Sequence, residues 1–505
     1  MRRSANVAHD ASLFEPSINP TVLQQASIRG GLHTAVGQTV IFGIRLIGTV
    51  VLARLLLPAD FGLVSMVVAV VGFANIFKDL GLSTATIQRQ HVTQGQVSTL
   101  FWVNLGVACA TTVLVAASAP VLAWFYGEPR LVYVTLLLSI MFLLSGMSVQ
   151  HLALLRRQMR FGRIAASQGS AAVLAVIGAI ALATLGFGYW ALVWMHVLLA
   201  GFSAVTAWIA GPWRPSRPLR GTGVRSMLRF GAGITGFNVV NYFSRNLDNV
   251  LIGYAWGPAP LGLYANAYQL LMVPITQIRS PLDAVALPAM SRLADSPTAF
   301  SAYYRRFIAI LAVVTMPLVA GLAASANDLV PLLLGEQWRE AAPIFAVLAV
   351  AGMIQPVAGT QGLVMISLGR TNRYFRYGVI LAVVYIGSFV AGLPWGPVGV
   401  AASYAAANYL VLIPLMHYVF KDSPITPRMF FGSIAEAFGA SLIVGLLLYL
   451  VAPQLGITSP LIRLAVNAAT VSLLYIALAA RLVATYPNLA VLLKPAIFNR
   501  KRQRR

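Results

Sequence analysis

The feature that most constrains this chain is a series of apolar runs, each about twenty residues long, that recur along most of its length. A helix of that length crosses the hydrocarbon core of a bilayer, and it satisfies its backbone polar groups internally, as that medium requires. Hydrophobic residues fill 58% of the 505 positions. These runs predict an all-α, polytopic membrane protein with about fourteen transmembrane helices. The predicted spans lie near residues 33–53, 61–82, 98–119, 131–152, 168–187, 189–210, 231–255, 261–284, 303–325, 342–366, 376–394, 398–419, 431–452 and 461–482.

The loops between these runs are alternately rich and poor in arginine, and this alternation predicts the topology. Cytoplasmic loops carry an excess of lysine and arginine, so the rich loops and both termini are expected in the cytoplasm. The formal charge of +23 is therefore a topology signal, and nucleic acid is not an expected partner. The few arginines of the other loops are offset by nearby acids. The rich set holds Arg89, Arg156, Arg157, Arg160, Arg163, Arg214, Arg217, Arg220, Arg225, Arg229, Arg292, Arg305, Arg306, Arg370, Arg373, Arg376, Lys421, Arg428 and the tail from Lys494 to Arg505.

Patterns typical of metal sites, cofactor sites and catalytic centres are missing from the sequence. The single cysteine, Cys109, lies in an apolar run, so neither a disulfide framework nor a metal site is expected. We find no nucleotide-binding motif, no paired carboxylates and no Ser/His constellation, and therefore predict no cofactor and no catalytic residues. Residues 1–28 are polar, with no apolar segment after Arg2 and Arg3, so no cleaved signal peptide is expected.

A stretch near the start of the chain recurs two hundred residues later, which indicates an internal repeat. Each repeat would hold six spans, and because six is even, both halves would keep the same orientation about an axis along the membrane normal. The matching residues are Gly31, Val40, Arg45, Val50, Pro58, Ala59, Gly62 and Leu63 with Gly231, Val240, Arg245, Val250, Pro258, Ala259, Gly262 and Leu263. The predicted domains are a flexible N-terminal tail at 1–28, a six-helix lobe at 29–212, a basic linker at 213–229, a pseudo-symmetric six-helix lobe at 230–420, two further helices at 421–483 and a basic tail at 484–505.

The repeat makes Arg45 and Arg245 equivalent, each about midway along the first span of its half. A charge at the bilayer centre costs about 2.5–3.5 kcal/mol, so neither arginine is expected to face lipid. Polar residues at helical spacing flank both arginines and predict a cationic cleft between the halves that binds an anionic ligand. Alternatively, Arg245 forms a structural ion pair with Asp248, one turn further on. The candidate substrate-binding residues are Gln38, Arg45, Thr49, Asn238, Asn241, Tyr242, Arg245, Asp248, Asn249, Gln269 and Arg279.

Other polar residues in the spans have two possible roles. Thr276, Ser280 and Asp283 continue the polar spacing of the eighth span. Four residues of later spans either line the same cleft or hydrogen-bond between helices, and the sequence does not separate these roles. These four are Gln355, Gln361, Tyr404 and Asn408.

Ordered motifs run through both halves of the chain. They are Gly30-Gly31, Arg45, Leu57 to Gly62, Asp79 to Leu82, Arg245 to Asp248, Gly257 to Tyr264 and Gly335-Glu336. Their order and spacing, from about residue 30 to residue 482, resemble those of the Wzx-type oligosaccharide flippases. These are polysaccharide transporters of the multidrug/oligosaccharidyl-lipid/polysaccharide (MOP) superfamily.

The resemblance implies a transporter, not an enzyme, in the bacterial cytoplasmic (inner) membrane. Its implied substrate is an undecaprenyl-diphosphate-linked oligosaccharide repeat unit, for exopolysaccharide, O-antigen or capsule, carried from the inner to the outer leaflet. The resemblance implies a V-shaped pair of lobes around a cationic cavity, with Arg45 and Arg245 as cavity arginines and the last two helices holding the lipid tail. The lipid-linked oligosaccharide and the bilayer are the expected partners, and the polysaccharide polymerase and export machinery are further candidates.

Two rival functions stay open at this point. A cation-coupled multidrug exporter of the same superfamily would need acidic residues in the cavity for organic cations, but Arg45 has no mid-span acid beside it. A membrane-embedded polysaccharide polymerase or ligase would need a large outer loop with catalytic residues, whereas the predicted outer loops are short.

Overall fold

The computed structural model describes residues 20–75, 83, 86–87, 92–219, 242, 246–451, 454 and 457–486, with side chains from residue 36 onward. The predicted all-α fold is confirmed, since every regular element in these ranges is helical. The helices up to residue 210 are α1 (Pro20–Leu55), α2 (Pro58–Asn75), α3 (Gln94–Ala117), α4 (Ala119–Tyr126), α5 (Leu131–Arg157), α6 (Phe161–Thr184) and α7 (Trp190–Ala210). The later helices are α8 (Pro258–Arg292), α9 (Pro297–Ala324), α10 (Ala326–Leu334), α11 (Ala341–Ala358), α12 (Gln361–Ser367), α13 (Thr371–Gly392), α14 (Gly396–Leu410), α15 (Leu412–Phe420), α16 (Pro427–Val451) and α17 (Pro460–Thr485).

Twelve segments of the described chain are long and apolar enough to cross a membrane, which makes this a multi-pass membrane protein. One of them, Thr371–Leu410, contains two predicted spans, because a short 3-10 helix joins α13 to α14. The predicted span near 231–255 lies mostly outside the described residues. The count is thus compatible with the prediction of about fourteen spans.

Local sequence signals explain where several of these helices begin and end. α3 starts with a capping box: the Thr93 hydroxyl accepts the Gln96 backbone N–H at 3.3 Å, and the Gln96 side chain accepts the Thr93 N–H at 3.1 Å. α4 ends at Gly127, whose φ of 65° lies in the left-handed region that glycine adopts without strain. In the turn that follows, the hydrogen-bonded Arg130 side chain holds the pKa of Glu128 below its usual range.

The chain divides into two compact units, residues 1–262 and residues 263–505. In the first unit, α6 packs on α1 and α7, and α5 packs on α3 and α7. The predicted lobe and linker bounds stay a prediction.

Small residues bring α1 and α6 together. A Cβ added to Gly37 would meet the Ala165 side chain, and one added to Gly48 would meet Val176. Helices in a membrane associate through this kind of close backbone approach, because lipid offers little hydrophobic drive for their packing. The contact therefore fixes the rotation of α1 about its axis in the first unit.

Residues 211–219, which we call the linker strap, lie along the start of α3. The Ser216 backbone N–H donates to the Ser98 hydroxyl at 3.0 Å, and the Trp102 indole donates to the Ser216 carbonyl at 2.8 Å. The Leu219 backbone and the Thr99 hydroxyl exchange two further hydrogen bonds. The start of the predicted linker is thus an ordered part of the first unit.

An aromatic cluster lies under the linker strap. Trp213 is 3% exposed and donates its indole N–H to the Gln94 side chain at 2.5 Å. Its ring meets Phe101 at 6.0 Å and His151 at 4.9 Å, both edge-on, and Trp208 stacks on His151 at 4.5 Å. His151 is therefore a packing residue.

The second unit is built around α9, which packs on α11, α16 and α17. Near residue 325, α17 is fixed by a part-buried ion pair, in which Arg463 Nε lies 2.9 Å from Asp328 Oδ2. The buried Asn467 side chain donates to the Ser325 hydroxyl at 3.0 Å. At the other end of α17, the pair between Arg481 and Glu436 is exposed.

Two turns in different units have the same backbone conformation, which supports the internal repeat. Arg160 precedes α6 with φ −84° and ψ 54°, and Arg370 precedes α13 with φ −90° and ψ 52°. Each donates its N–H to the carbonyl five residues earlier, at 2.9 and 2.8 Å. The preceding residues, Met159 and Gly369, both have positive φ, 56° and 70°.

Candidate functional site

The first predicted strip of polar residues lies on α1. Gln38 and Arg45 are exposed, and Thr49 is half-buried. At about 100° per residue, these three positions follow one another along one side of the helix. That side adjoins the face with which Gly37 and Gly48 contact α6. The strip is therefore an accessible surface of the first unit, oriented by the packing of α1 on α6.

Arg45 is the central charge of this strip. Among the described residues it forms no ion pair. The His196 side chain of α7 lies within electrostatic range of its guanidinium. An imidazole carries no negative charge and cannot cancel a guanidinium charge, so the donors of Arg45 are accessible to an anion.

Candidate residues of the seventh predicted span are only partly described. Asn238, Asn241 and Arg245 lie outside the described residues. Tyr242 donates its hydroxyl to the Ala69 carbonyl of α2 at 2.5 Å. That hydroxyl therefore joins two helices, which limits its capacity to contact a ligand.

Asp248 and Asn249 lie at the start of a described helical stretch, residues 246–256. Asp248 is buried, and one of its carboxylate oxygens accepts the Asn249 backbone N–H at 2.8 Å. The Asn249 side-chain oxygen is buried without a hydrogen-bond partner among the described residues. The alternative of an ion pair between Arg245 and Asp248 stays open, because Arg245 lies outside the described residues.

A second polar strip lies on α8. Gln269 is exposed, and the side chains of Arg279 and Asp283 are 30% and 26% exposed. Arg279 Nε lies 2.9 Å from Asp283 Oδ2, one helical turn apart. The helix contains prolines, and each of them leaves the carbonyl of an earlier residue without its helical N–H partner. Such a carbonyl is tolerated better at a polar surface than in lipid, because lipid offers it no hydrogen bond. These prolines are Pro274, Pro281 and Pro288.

A glycine in the break between α11 and α12 makes room for Arg279. A Cβ on Gly359 would overlap the Arg279 guanidinium. Next to it, the buried Thr360 hydroxyl hydrogen-bonds the Tyr304 hydroxyl at 2.8 Å, which fixes the break against α9. The position of the Arg279 charge is thus set from both sides, by Asp283 on its own helix and by Gly359.

The four polar residues of the later spans bond between helices. Gln355 donates to the Tyr404 hydroxyl, and the Tyr385 hydroxyl donates to the Asn408 side chain at 3.1 Å. Gln361 is buried and its amide contacts the sulfur of Met416 at 3.4 Å. These contacts favour the structural role that the sequence left open.

Sequence reasoning missed two relationships in these strips. It named Arg279 and Asp283 separately, although their spacing of four residues is the signal for an ion pair on a helix. It did not connect His196 with Arg45, because no sequence pattern joins α7 to α1. No group of three or more potential metal ligands occurs in the part of the chain that the structure describes.

Comparison with known proteins gives one family and several relatives. A sequence profile of the family described as "Polysaccharide biosynthesis protein" matches residues 51–343. The teichuronic acid biosynthesis protein TuaB of Bacillus subtilis (strain 168) is 29% identical over 426 residues, which cover 82% of this chain and 86% of TuaB. The lipopolysaccharide biosynthesis protein WzxC of Escherichia coli (strain K12) is 24% identical, covering 80% of this chain and 82% of WzxC. The succinoglycan biosynthesis transport protein ExoT of Rhizobium meliloti (strain 1021) is 26% identical, covering 82% and 85%.

Two solved structures have a similar fold. The lipid II flippase MurJ in its inward closed conformation superimposes with a TM-score of 0.72 at 13% identity, covering 90% of this chain and 99% of that chain. An inward-facing multidrug resistance MATE family transporter of the MOP superfamily gives 0.57 at 14% identity, covering 78% and 94%. At such identities the likeness establishes the helical fold alone.

Proposed function

The chain belongs to the polysaccharide biosynthesis protein family, and from this premise we propose that it is a flippase for a lipid-linked oligosaccharide. It is a membrane transport protein of polysaccharide biosynthesis rather than an enzyme. The proposed substrate is an undecaprenyl-diphosphate-linked repeat unit, carried from the inner to the outer leaflet of the cytoplasmic membrane by alternating access. Both termini are proposed to be cytoplasmic.

The observation that carries this proposal is Arg45. Its guanidinium is exposed on a helix that is otherwise apolar enough to span a membrane, and it forms no ion pair among the described residues. At the bilayer centre such a charge costs about 2.5–3.5 kcal/mol unless water or an anion accompanies it. An anionic ligand explains an arginine at this depth, and the planar fork of its guanidinium suits phosphate oxygens.

The chemistry of the cargo demands the same kind of surface. A diphosphate and a row of sugar hydroxyls are strongly disfavoured in hydrocarbon, whereas a prenyl chain is stable there. Arg45 offers donors to the diphosphate, and Gln38 and Thr49 on the same strip offer hydrogen bonds to sugars. In the second unit, Gln269 and Arg279 provide the same two kinds of group.

The last two helices are proposed to contact the lipid tail. α16 and α17 each pack on α9, and both leave large apolar side chains exposed. Such surfaces match the prenyl chain, which can stay in lipid throughout the transport cycle. Examples of these side chains are Leu442, Ile443, Leu446, Leu447, Leu461, Ile462, Leu473 and Ile476.

Substitution of Arg45 tests the proposal. Arg45→Ala should lower export of the surface polysaccharide about tenfold or more at equal protein level, because a charge-assisted contact to phosphate is lost. Arg45→Lys should restore only part of the export, since an ammonium keeps the charge without the bidentate fork. Arg217→Ala is the matched control, because Arg217 is an exposed arginine of the linker strap and does not belong to the polar strip. Wild-type export by Arg45→Ala at a normal protein level would refute the proposed role.

A further inference from the structure

The two equivalent turns described above are each followed, three residues later, by an arginine: Arg163 in the first unit and Arg373 in the second. Arg373 forms several contacts within the second unit. Its Nη2 lies 3.1 Å from Asp422 Oδ2, and its Nη1 donates to the Lys421 carbonyl. Its guanidinium also lies 5.8 Å from the centre of the Tyr418 ring. The charge of Arg373 is therefore balanced within the second unit.

Arg163 has the corresponding position in the first unit, but its charge is not balanced in the same way. Its Nη1 donates to the Ala210 carbonyl at 3.1 Å, which corresponds to the bond between Arg373 and Lys421. Where Asp422 follows Lys421 in the second unit, Gly211 follows Ala210 in the first unit, so this position has no carboxylate. Arg163 is exposed and forms no ion pair with any residue of the described ranges. Most of its donors thus remain available to an external anion.

A groove of about 520 Å³ opens beside this arginine, between α6 and α7. Its walls carry hydroxyl groups that also hold the two helices together, since Ser167 donates to Thr206 at 2.9 Å. A hydroxyl that donates internally can still accept or share a hydrogen bond with a ligand. The groove is lined by Arg163, Ala166, Ser167, Ser170, Thr206, Ile209 and Ala210.

The groove continues as an apolar ridge along α6. Val173, Leu174 and Ile177 follow Ser170 at helical spacing and are 37%, 44% and 58% exposed. They belong to a segment that is long and apolar enough to span the membrane. One surface thus presents a cation, hydroxyl groups and then hydrocarbon, in the order in which a lipid presents its phosphate, glycerol and acyl chains.

We propose that this groove binds an anionic glycerophospholipid, with its phosphate on Arg163 and an acyl chain along the ridge. The predicted topology puts this arginine-rich end of α6 in the cytoplasmic leaflet. A single arginine with neutral hydroxyls balances the single negative charge of a phosphodiester, and a free phosphate would leave the ridge unused. The inference does not depend on what the chain transports.

Lipid binding to the purified full-length protein tests this site. Native mass spectrometry would compare retention of phosphatidylglycerol with that of phosphatidylcholine. Arg163→Gln should weaken phosphatidylglycerol binding about tenfold, because the charge-assisted contact is lost. Ala166→Trp should do the same by filling the groove without changing the charge. Arg217→Gln, which removes an exposed arginine outside the groove, should bind like the wild type. Phosphatidylcholine should bind weakly and equally to all four proteins.

Several outcomes would overturn the proposal. Equal losses in Arg163→Gln and Arg217→Gln would assign the binding to diffuse surface charge. Wild-type retention in Ala166→Trp would place the lipid elsewhere. Displacement of phosphatidylglycerol by an excess of inorganic phosphate would indicate a site for a free anion. Displacement by an equal amount of undecaprenyl diphosphate would indicate a loading site for the transported lipid instead.

Discussion

Arg45 and Arg279 differ in whether an acidic side chain lies beside their charge. Arg45 has no acidic partner among the described residues, whereas Arg279 is held by Asp283 at 2.9 Å and fits against Gly359. A diphosphate would bind Arg45 directly, but at Arg279 it would compete with a carboxylate already in place. Arg279 therefore has two possible roles, as a ligand for the substrate or as half of a structural ion pair.

A double substitution separates these roles. Arg279→Leu alone leaves the Asp283 carboxylate without its partner and should destabilise the protein by about 1–3 kcal/mol. The double variant Arg279→Leu with Asp283→Leu removes both charges, so we expect its melting temperature to recover while polysaccharide export stays low. The exposed pair Arg481 and Glu436 is the control, and its double leucine variant should change neither quantity. Wild-type export by the Arg279 and Asp283 double variant would make that pair purely structural.

At the scale of elements, the helices were predictable and their lateral contacts were not. Apolar runs of bilayer length predict α5 or α9 directly, because the backbone has no alternative in hydrocarbon. The linker strap has no periodicity, so its bonds to α3 depend on tertiary contacts that no local pattern encodes. The same holds for the site: periodicity predicts that Gln38, Arg45 and Thr49 share one side of a helix, but the fit of Gly359 to Arg279 joins distant parts of the chain.

The linker strap should contribute to the stability of the first unit through Trp213. Trp213→Ala removes a side chain that is 3% exposed and should cost about 3–5 kcal/mol. Trp124→Ala is the matched control, because Trp124 is 83% exposed and its loss should stay within about 0.5 kcal/mol. Melting temperatures from fluorescence-detection size-exclusion chromatography would compare the two. Equal melting temperatures for both variants would mean that the linker strap is not a stabilising contact.

At the scale of the whole molecule, the sequence repeat has a structural counterpart in the same turn before α6 and before α13. The charges around these turns differ, since Arg373 is paired with Asp422 and Arg163 forms no ion pair among the described residues. Corresponding positions of the two turns therefore differ in how their charge is balanced. Functional residues have to be assigned separately in each half, as for Arg45 and Arg279.

The predicted topology can be tested across the whole chain. The loops at 154–167, 213–229 and 367–376, and both termini, should be cytoplasmic because they are rich in arginine. Single cysteines placed in these segments of a Cys109→Ala background should react with a membrane-impermeant maleimide only after the cells are opened. Cysteines near Glu128 and Glu336, in the acid-containing turns, should react in intact cells. Labelling of the arginine-rich loops in intact cells would invert the topology.

The most direct test of the central claim is lipid flipping by the purified protein in liposomes. A fluorescent undecaprenyl-diphosphate-linked oligosaccharide is placed in both leaflets, and an impermeant glycosidase added outside reports the fraction that becomes accessible. Wild-type protein should expose nearly all of the labelled lipid, whereas Arg45→Ala should flip it about tenfold more slowly, with Arg217→Ala equal to wild type. Accessibility limited to the outer leaflet in wild-type liposomes, as in protein-free ones, would contradict the proposed function. Equal rates for wild type and Arg45→Ala would contradict the proposed site.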